Sequence, residues 1–389
     1  MSAASAGKSA SNDIIKVMVV DDSVVIRGLI SRWVGEESSM EVCASHRNGR
    51  LAVEDVANSR PDIIVLDIEM PDMDGLTALP LLLKGYPATT IIMASTLTAR
   101  NAKISLRALS LGAADYVPKP DSNSQITTSR SFRDELISKV LALGSRGKTI
   151  HHKPVVGKAK FKASGSEAQQ RSVSFRAPQK RGTQGITLRP FPTIRPRALV
   201  IGSSTGGPQA LEKFLPTILQ VIKSHPVLIT QHMPPTFTAI LAEHLSKAAN
   251  CEAAEGVDGE VLKKGKVYVA PGGKHMVISK SAGQVMTIKL TNDDPENFCK
   301  PAVDPLFRSA AKNYGKDVVG VILTGMGMDG AVGAQLMVDA GGAIIAQDEA
   351  SSVVWGMPGA AANAGVCSAI LPLDKIGAVV TKIFRGERL

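Results

Sequence analysis

The chain has 389 residues, enough for two or three domains, with 44% hydrophobic and only 4% aromatic residues. Its net charge of +10 is local: residues 145–197 hold thirteen Lys and Arg against a single acid, Glu167, and the rest of the chain is two charges negative. That excludes a uniformly basic nucleic-acid-binding fold, and no apolar run is long enough to span a bilayer, so no membrane insertion is expected.

Residues 1–13 read as a short polar tail without the apolar segment of a signal peptide. From 14 to 144, short apolar runs alternate with helical patterns. Strands are expected at 16–20, 40–45, 63–67, 90–94 and 114–117, with helices between them, for example at 23–34 and 99–111. Five short strands separated by helices predict a doubly wound parallel sheet. Residues 145–196 lack periodicity, are rich in Lys, Arg, Ser, Gly, Pro and Gln, and read as a flexible basic linker. A nucleic-acid tail is the sharper alternative, but aromatic residues are sparse there and no nucleic acid is expected as partner.

Residues 197–389 read as a second α/β unit. Strands are expected at 198–203, 227–230, 267–270, 276–279, 285–290, 318–324 and 343–346, and helices at 208–219, 237–249, 303–314, 331–340 and 373–384. The third to fifth strands are closely spaced, with turn residues at Pro271-Gly272-Gly273 and Ser281-Ala282-Gly283, so an antiparallel hairpin is expected among them. Four cysteines, Cys43, Cys251, Cys299 and Cys367, lack metal-ligand spacing and read as free thiols of a reducing cytoplasm.

Two clusters of chemistry follow from these placements. In the first unit Asp21-Asp22, Asp67, Ser95 and Lys119 all fall at strand C-terminal ends and should share one pocket. Three carboxylates favour Mg²⁺, which takes oxygen ligands and phosphate partners. Lys119 would supply a point charge for a phosphoryl group, and a carboxylate beside the metal can become an acyl phosphate.

In the second unit Gly202-x-Ser204-x-Gly206 fits a nucleophile turn between strand and helix, although a Gly-rich phosphate cradle would look similar. His232 follows the next strand. His225 precedes that strand and belongs at the opposite edge, and His244 reads as a surface or packing residue. His275 follows a glycine pair and is within reach of the cleft. Asp329 lies in a Gly-rich loop after 318–324, and Asp348, after the following strand, is a second candidate. Ser, His and Asp at one sheet edge supply nucleophile, base and orienting carboxylate for acyl-group hydrolysis. The chain order Ser, His, Asp differs from that of the α/β-hydrolases. A rival from another class is a dinucleotide fingerprint, Gly325-x-Gly327-x-x-Gly330 with Asp348 eighteen residues on. It leaves Ser204 and His232 without a role.

Residues 14–140 resemble the receiver domain of two-component systems. The resemblance implies a flavodoxin-like fold with Asp67 as phosphoacceptor and Asp21 and Asp22 as acidic partners of Mg²⁺, joined by the backbone carbonyl of Glu69. It also implies Ser95 as phosphoryl contact and Tyr116 as the aromatic switch.

The motifs Ile201-Gly202-Ser203-Ser204-Thr205-Gly206-Gly207-Pro208, Gln231-His232-Met233-Pro234, Val267-Tyr268-Val269-Ala270-Pro271-Gly272, Leu323-Thr324-Gly325-Met326-Gly327-Met328-Asp329-Gly330 and Ser352-Val353-Val354-Trp355-Gly356-Met357-Pro358 are similar to the chemotaxis protein-glutamate methylesterase family over about residues 198–386. That resemblance implies a Rossmann-like esterase domain hydrolysing glutamate γ-methyl esters on methyl-accepting chemoreceptors, releasing methanol and deamidating certain receptor glutamines. Ser204 would be nucleophile, His232 general base and Asp329 its orienter. The oxyanion would lie near the Met326 backbone, with Thr205 and His275 beside the cleft. No cofactor is implied for ester hydrolysis. A chemotaxis histidine kinase would be the phosphodonor, and the receiver would cover the cleft until phosphorylated. Cys299-Lys300 departs from the polar or basic pair the resemblance leads one to expect before Pro301. Two other functions remain on the sequence: a non-catalytic receptor-binding regulator that keeps the fold, and a nucleic-acid output, for which no helix-turn-helix is found.

Overall fold

The computed structural model describes residues 14–96, 98–119, 130–144, 186–193, 195–281 and 283–387. The tail expected at 1–13, and most of the linker expected at 145–196, lie outside the described residues.

The first sheet holds β1 (Ile15–Val20), β2 (Met40–His46), β3 (Ile63–Asp67), β4 (Thr90–Thr96) and β5 (Asp115–Lys119), all parallel, in the order β2-β1-β3-β4-β5. The central β3 is buried at every residue, as a strand covered on both faces must be. Helices α1 (Val24–Gly35), α2 (Gly49–Ser59), α3 (Gly75–Gly85), α4 (Ala99–Ser110) and α5 (Arg130–Gly144) cover it. Four of them start where a polar side chain accepts a backbone N–H of the first turn: Ser23 from Ile26, Asn48 from Leu51, Asp74 from Thr77 and Thr98 from Asn101.

The second sheet has seven strands: β6 (Ala198–Ser203), β7 (Val227–Gln231), β8 (Glu252–Glu255), β9 (Lys266–Val269), β12 (Val318–Ile322), β13 (Ala343–Gln347) and β14 (Ala369–Leu371). All its pairings are parallel, in the order β14-β13-β12-β6-β7-β9-β8. The chain builds outward from β6 through β7 and β9, then returns to β12 on the other side. The crevice at the strand ends of β6, β7 and β12 is therefore the switch point where open α/β sheets place their sites. Helices α6 (Gly207–Phe214), α7 (Leu219–Ser224), α8 (Phe237–Ala249), α9 (Val303–Tyr314), α10 (Ala331–Asp339), α11 (Met357–Asn363) and α12 (Leu373–Phe384) cover the two faces, with a 3₁₀ turn at Leu215–Ile218.

The expected antiparallel hairpin is present: β10 (His275–Lys280) and β11 (Met286–Thr291) form a separate antiparallel pair. The run at 267–270 instead joins the main sheet as β9, with Val267 opposite Val227. The C-terminal part of the expected linker is seated on the second unit. Arg189 N–H donates to the Cys367 carbonyl, and Phe191 packs against the apolar core.

The two units touch through α4 and β5 on one side and α6 and α8 on the other. Leu106 and Leu109 face Pro208, Leu241 and Leu245 across a narrow cleft that also includes His244. Tyr116 stacks on Phe237 with ring centres 4.7 Å apart and planes within 6°. Gln209 Nε2 donates to the Ala113 carbonyl and Thr205 Oγ1 to Asp115 Oδ2.

Candidate functional site

Ser204 and His232 stand immediately beyond two neighbouring strands, and Asp329 lies in the loop that follows the third, β12, seven residues past its end. Ser203 lies opposite Gln231 in register, so Ser204 and His232 occupy the next level up. Gln231 staples the two strand ends. Its Oε1 accepts from Ser203 Oγ at 2.7 Å, and its Nε2 donates to the Ser204 carbonyl at 2.9 Å. Ser204 N–H in turn donates to the Thr324 carbonyl at the end of β12.

Asp329 is buried and accepts five hydrogen bonds. Oδ2 takes His232 Nε2 at 2.7 Å and Val303 N–H at 2.6 Å. Oδ1 takes Asp304 N–H, Gly330 N–H and Asn297 Nδ2. Val303 and Asp304 open α9, so the carboxylate also sits at the positive end of a helix. Burial alone would raise its pKa, but the His232 bond and the backbone donors outweigh burial and hold it below the usual carboxylate range.

The other partner shifts the opposite way. Burial disfavours the His232 imidazolium, yet the Asp329 bond, followed by the contact with Cys299, pushes its pKa well above the ordinary imidazole value. With Nε2 committed to Asp329, Nδ1 is the nitrogen left to accept a proton, and Cys299 Sγ stands 3.3 Å from it. Among the described residues, Ser204 Oγ makes no hydrogen bond, and its side chain is half-buried. Nucleophile contacts of this kind commonly tighten only when substrate is present.

The turn after Ser204 is not the strained Ser turn that a nucleophile elbow requires. The left-handed residue is Gly206, at φ 74°, which opens α6. Gly325 is the tighter constraint, because a Cβ there would lie 2.4 Å from Met357 Sδ and 2.8 Å from Ser204 Cβ. Thr324 anchors that loop through Gln347 Oε1 and the Thr205 carbonyl. Met326 is half-buried beside it, and among the described residues no hydrogen bond occupies its N–H.

Position separates the two candidate carboxylates. Asp348 Oδ1 is held by Ser351 N–H and Oγ in an exposed turn, which also removes it from the dinucleotide reading. His275 is buried with both nitrogens bonded: Nδ1 accepts Ala302 N–H and Nε2 meets the Asp294 carbonyl. It braces the 292–302 segment. His225 lies at the far end of β7 against Phe384. Thr205 is buried, and its hydroxyl is taken by Asp115 of the first unit.

In the first unit Asp21, Asp22 and Asp67 bring ligand oxygens within 4.8 Å of one another. Lys119 Nζ lies 2.5 Å from Asp21 Oδ2 and 2.7 Å from Asp67 Oδ1. One ammonium against three carboxylates leaves two negative charges in a mostly buried pocket, a donor set that fits a hard divalent cation. Burial raises the Asp67 pKa to about 6, with Lys119 opposing and Asp21 adding to the rise. Ser95 is buried next to this cluster's strand ends, with Oγ donating to the Thr96 carbonyl, and Glu69 is exposed one residue beyond Ile68.

Sequence reasoning did not find Asn297, Asp304, Gln347 or Asp115. Asp115 precedes the aromatic switch residue directly, which is a usable signal. The other three act only through contacts made across the fold.

A seven-stranded parallel sheet whose switch point gathers Ser, a His–Asp pair and a Gly-rich loop defines a serine-hydrolase-type α/β unit, here joined to a carboxylate-lined receiver-type sheet. Comparison with known proteins gives the family. Residues 199–380 match the CheB methylesterase family and residues 17–130 the response regulator receiver domain. The chain is 52% identical over its whole length to a protein-glutamate methylesterase/protein-glutamine glutaminase of Rhodopseudomonas palustris, covering all of that protein. It is likewise 52% identical, with full coverage of both chains, to one of the group 2 operon of Bradyrhizobium diazoefficiens. Among solved structures, the CheB methylesterase catalytic domain of Thermotoga maritima is 37% identical, covering 49% of this chain and 100% of that one with a TM-score of 0.47. The chain belongs to the protein-glutamate methylesterase family with an N-terminal receiver domain.

Proposed function

We propose that the chain hydrolyses γ-methyl esters of glutamate on methyl-accepting chemoreceptors, deamidates particular receptor glutamines, and is activated by phosphorylation of Asp67 in the cytoplasm. The observation that carries the chemistry is the buried His232–Asp329 pair set one strand from Ser204.

Ser204 Oγ attacks the γ-carbonyl while His232 Nδ1 takes its proton. Asp329 keeps the other proton on Nε2, which leaves Nδ1, beside Cys299 Sγ, as the accepting nitrogen. The negative charge that develops on the carbonyl oxygen is met by backbone N–H groups, of which Met326 is the candidate donor. The imidazolium returns its proton to the leaving oxygen and methanol departs, leaving a glutamyl-serine ester. Water, deprotonated by His232, then frees the glutamate and restores Ser204. With a glutamine substrate the same steps release ammonia. The absence of a strained elbow and the dyad-plus-loop arrangement do not alter this order of events.

For the receiver, Asp21, Asp22, Asp67 and the Glu69 carbonyl would hold Mg²⁺, with a chemotaxis histidine kinase as phosphodonor. Bound there, a divalent ion would supply positive charge to offset the carboxylates and the phosphoryl oxygens. Lys119 and Ser95 would then bind those oxygens. Occlusion is the regulatory reading: Asp115 and Tyr116 lie in β5, the strand that ends at Lys119, and contact Thr205 and Phe237, so a receiver that shifts on phosphorylation would release the residue next to the nucleophile. This also favours an enzyme over a non-catalytic regulator, because the receiver covers the residue adjoining Ser204.

One site for both reactions is tested by following methanol from methylated receptors and ammonia from receptor glutamines in the same preparation. Both are expected to vanish in His232→Ala. Persistence of either would mean a second catalytic centre.

A further inference from the structure

Between β11 and α9 the chain makes a two-residue turn that is unusual twice over. Glu296 and Cys299 exchange both backbone hydrogen bonds, at 3.2 and 2.9 Å. The two residues between them, Asn297 and Phe298, have φ of 51° and 64°. This is the pattern of a type I′ hairpin turn, for which Asn-Gly is the favoured pair because both residues must be left-handed. Here the second place is taken by Phe, a residue for which positive φ is a true outlier. Its ring makes no return for that strain inside the molecule, since Phe298 is the most exposed large apolar residue described, at 103% relative accessibility.

Everything around Phe298 is tied to the candidate active site. Asn297 Nδ2 donates to both Asp329 and Asp304. Cys299 Sγ contacts His232 Nδ1. Arg308 clamps the base of the turn through both oxygens of Glu296, and the His275 ring accepts Ala302 N–H just beyond it. A rigid, strained turn thus holds one apolar ring out in water, one residue from contacts to the catalytic base and to its carboxylate. Met328, one residue before Asp329 on the loop that Asn297 bridges to, is also 55% exposed. Backbone strain of this kind clusters at active sites and ligand clamps, and here it coincides with full exposure of an apolar ring. The receiver docks through Thr205, Gln209 and Phe237 and leaves Phe298 uncovered.

We propose that Phe298 is a specificity-determining residue, an apolar finger that packs against the polypeptide flanking the glutamyl ester of the protein substrate. It binds substrate and takes no part in proton transfer. Met328 forms the facing lip. The inference rests on the protein-ester reading given above, and it deepens that reading by naming the chemistry required next to the ester: an apolar side chain on the substrate protein.

The test uses the full chain with Mg²⁺ and a small phosphodonor, and two substrates: methylated receptor membranes and p-nitrophenyl acetate, an ester with no polypeptide. Phe298→Gly and Phe298→Ser remove the ring and relieve the backbone; Phe298→Leu keeps apolar bulk. The expected result is a KM for receptor raised about tenfold in the Gly and Ser variants with kcat within about twofold. Turnover of the small ester should be unchanged, Phe298→Leu should lie close to wild type, and the melting temperature of Phe298→Gly should be no lower than wild type. Receptor kcat/KM within about twofold of wild type in Gly and Ser would overturn the proposal. So would an equal loss on both substrates, which would mean that the turn only supports His232. Wild-type protein that releases no methanol would overturn the protein-ester reading itself and the finger with it, a result distinct from either of these.

Discussion

His232 shows how two neighbours set the behaviour of one side chain. Only neutral imidazole can accept the Ser204 proton, and its bonds to Asp329 and Cys299 favour the charged form. The rate should therefore rise with pH along an acid limb centred above the ordinary imidazole pKa of about 6.5. Asp329→Asn removes the largest raising contact, so that limb should move down. The same change lets the imidazole take the wrong tautomer, and kcat should fall by roughly 10³–10⁴. Cys299→Ala should move the limb down with much less loss of rate, because it removes a raising contact and leaves the orienter in place. A pH–rate profile of the three proteins checks both; an acid limb that stays put in Cys299→Ala would contradict the role of the Cys299 contact in raising the imidazole pKa. Residue-scale legibility was uneven. Ser204 and His232 could be read from the sequence because each directly follows an apolar run. Asp329 and Asp348 could not be separated that way, since both follow strands and only the fold shows which one meets Nε2. Asn297-Phe298 was invisible because a left-handed turn without glycine carries no sequence signal.

At the scale of elements, the strands ending in Asp21, Asp67 and Lys119 build a pocket whose charge is unbalanced. Asp67 has its folded pKa raised to about 6 from an unfolded value of about 3.9. Across that window the native state keeps a proton that the unfolded chain has lost, so this group makes stability fall as pH rises from about 4 to 6. Mg²⁺ should reverse that deficit at neutral pH, adding about 1.4 kcal/mol when present at ten times its Kd. Asp67→Asn should melt at a higher temperature than wild type without Mg²⁺ and respond less to it. Thermal unfolding with and without Mg²⁺ measures this, and an equal Mg²⁺ response in both proteins would place the cation elsewhere. Most elements were legible because parallel strands buried on both faces are nearly continuous apolar runs. β8, Glu-Ala-Ala-Glu, was missed because an edge strand can be half polar, and the three-residue β14 because it is shorter than any periodicity. Which two of the three closely spaced strands from 267 to 290 pair as the hairpin could not be read, because chain proximity does not reveal which sheet a short strand joins.

At the scale of the whole molecule, the receiver is held to the esterase by a few specific contacts. An aromatic stack such as Tyr116–Phe237 contributes about 0.5–1.5 kcal/mol. Tyr116→Ala in the full chain should therefore raise unphosphorylated activity by up to roughly tenfold, and Gln209→Ala, which breaks the bond to Ala113, by less. Steady-state rates without phosphodonor check this; rates no higher than wild type would count against occlusion. That the receiver would cover the cleft was expected from the resemblance, but the contacts that do so could not be read from the sequence, since they depend on which faces of two separate sheets meet.

The most direct measurement is methanol release from methylated receptor membranes, by wild type and by Ser204→Ala, each with and without a small phosphodonor and Mg²⁺. The account predicts release that rises with phosphodonor in wild type and is absent in Ser204→Ala under every condition. Release that survives Ser204→Ala, or wild-type release indifferent to the phosphodonor, would contradict a receiver-controlled serine mechanism.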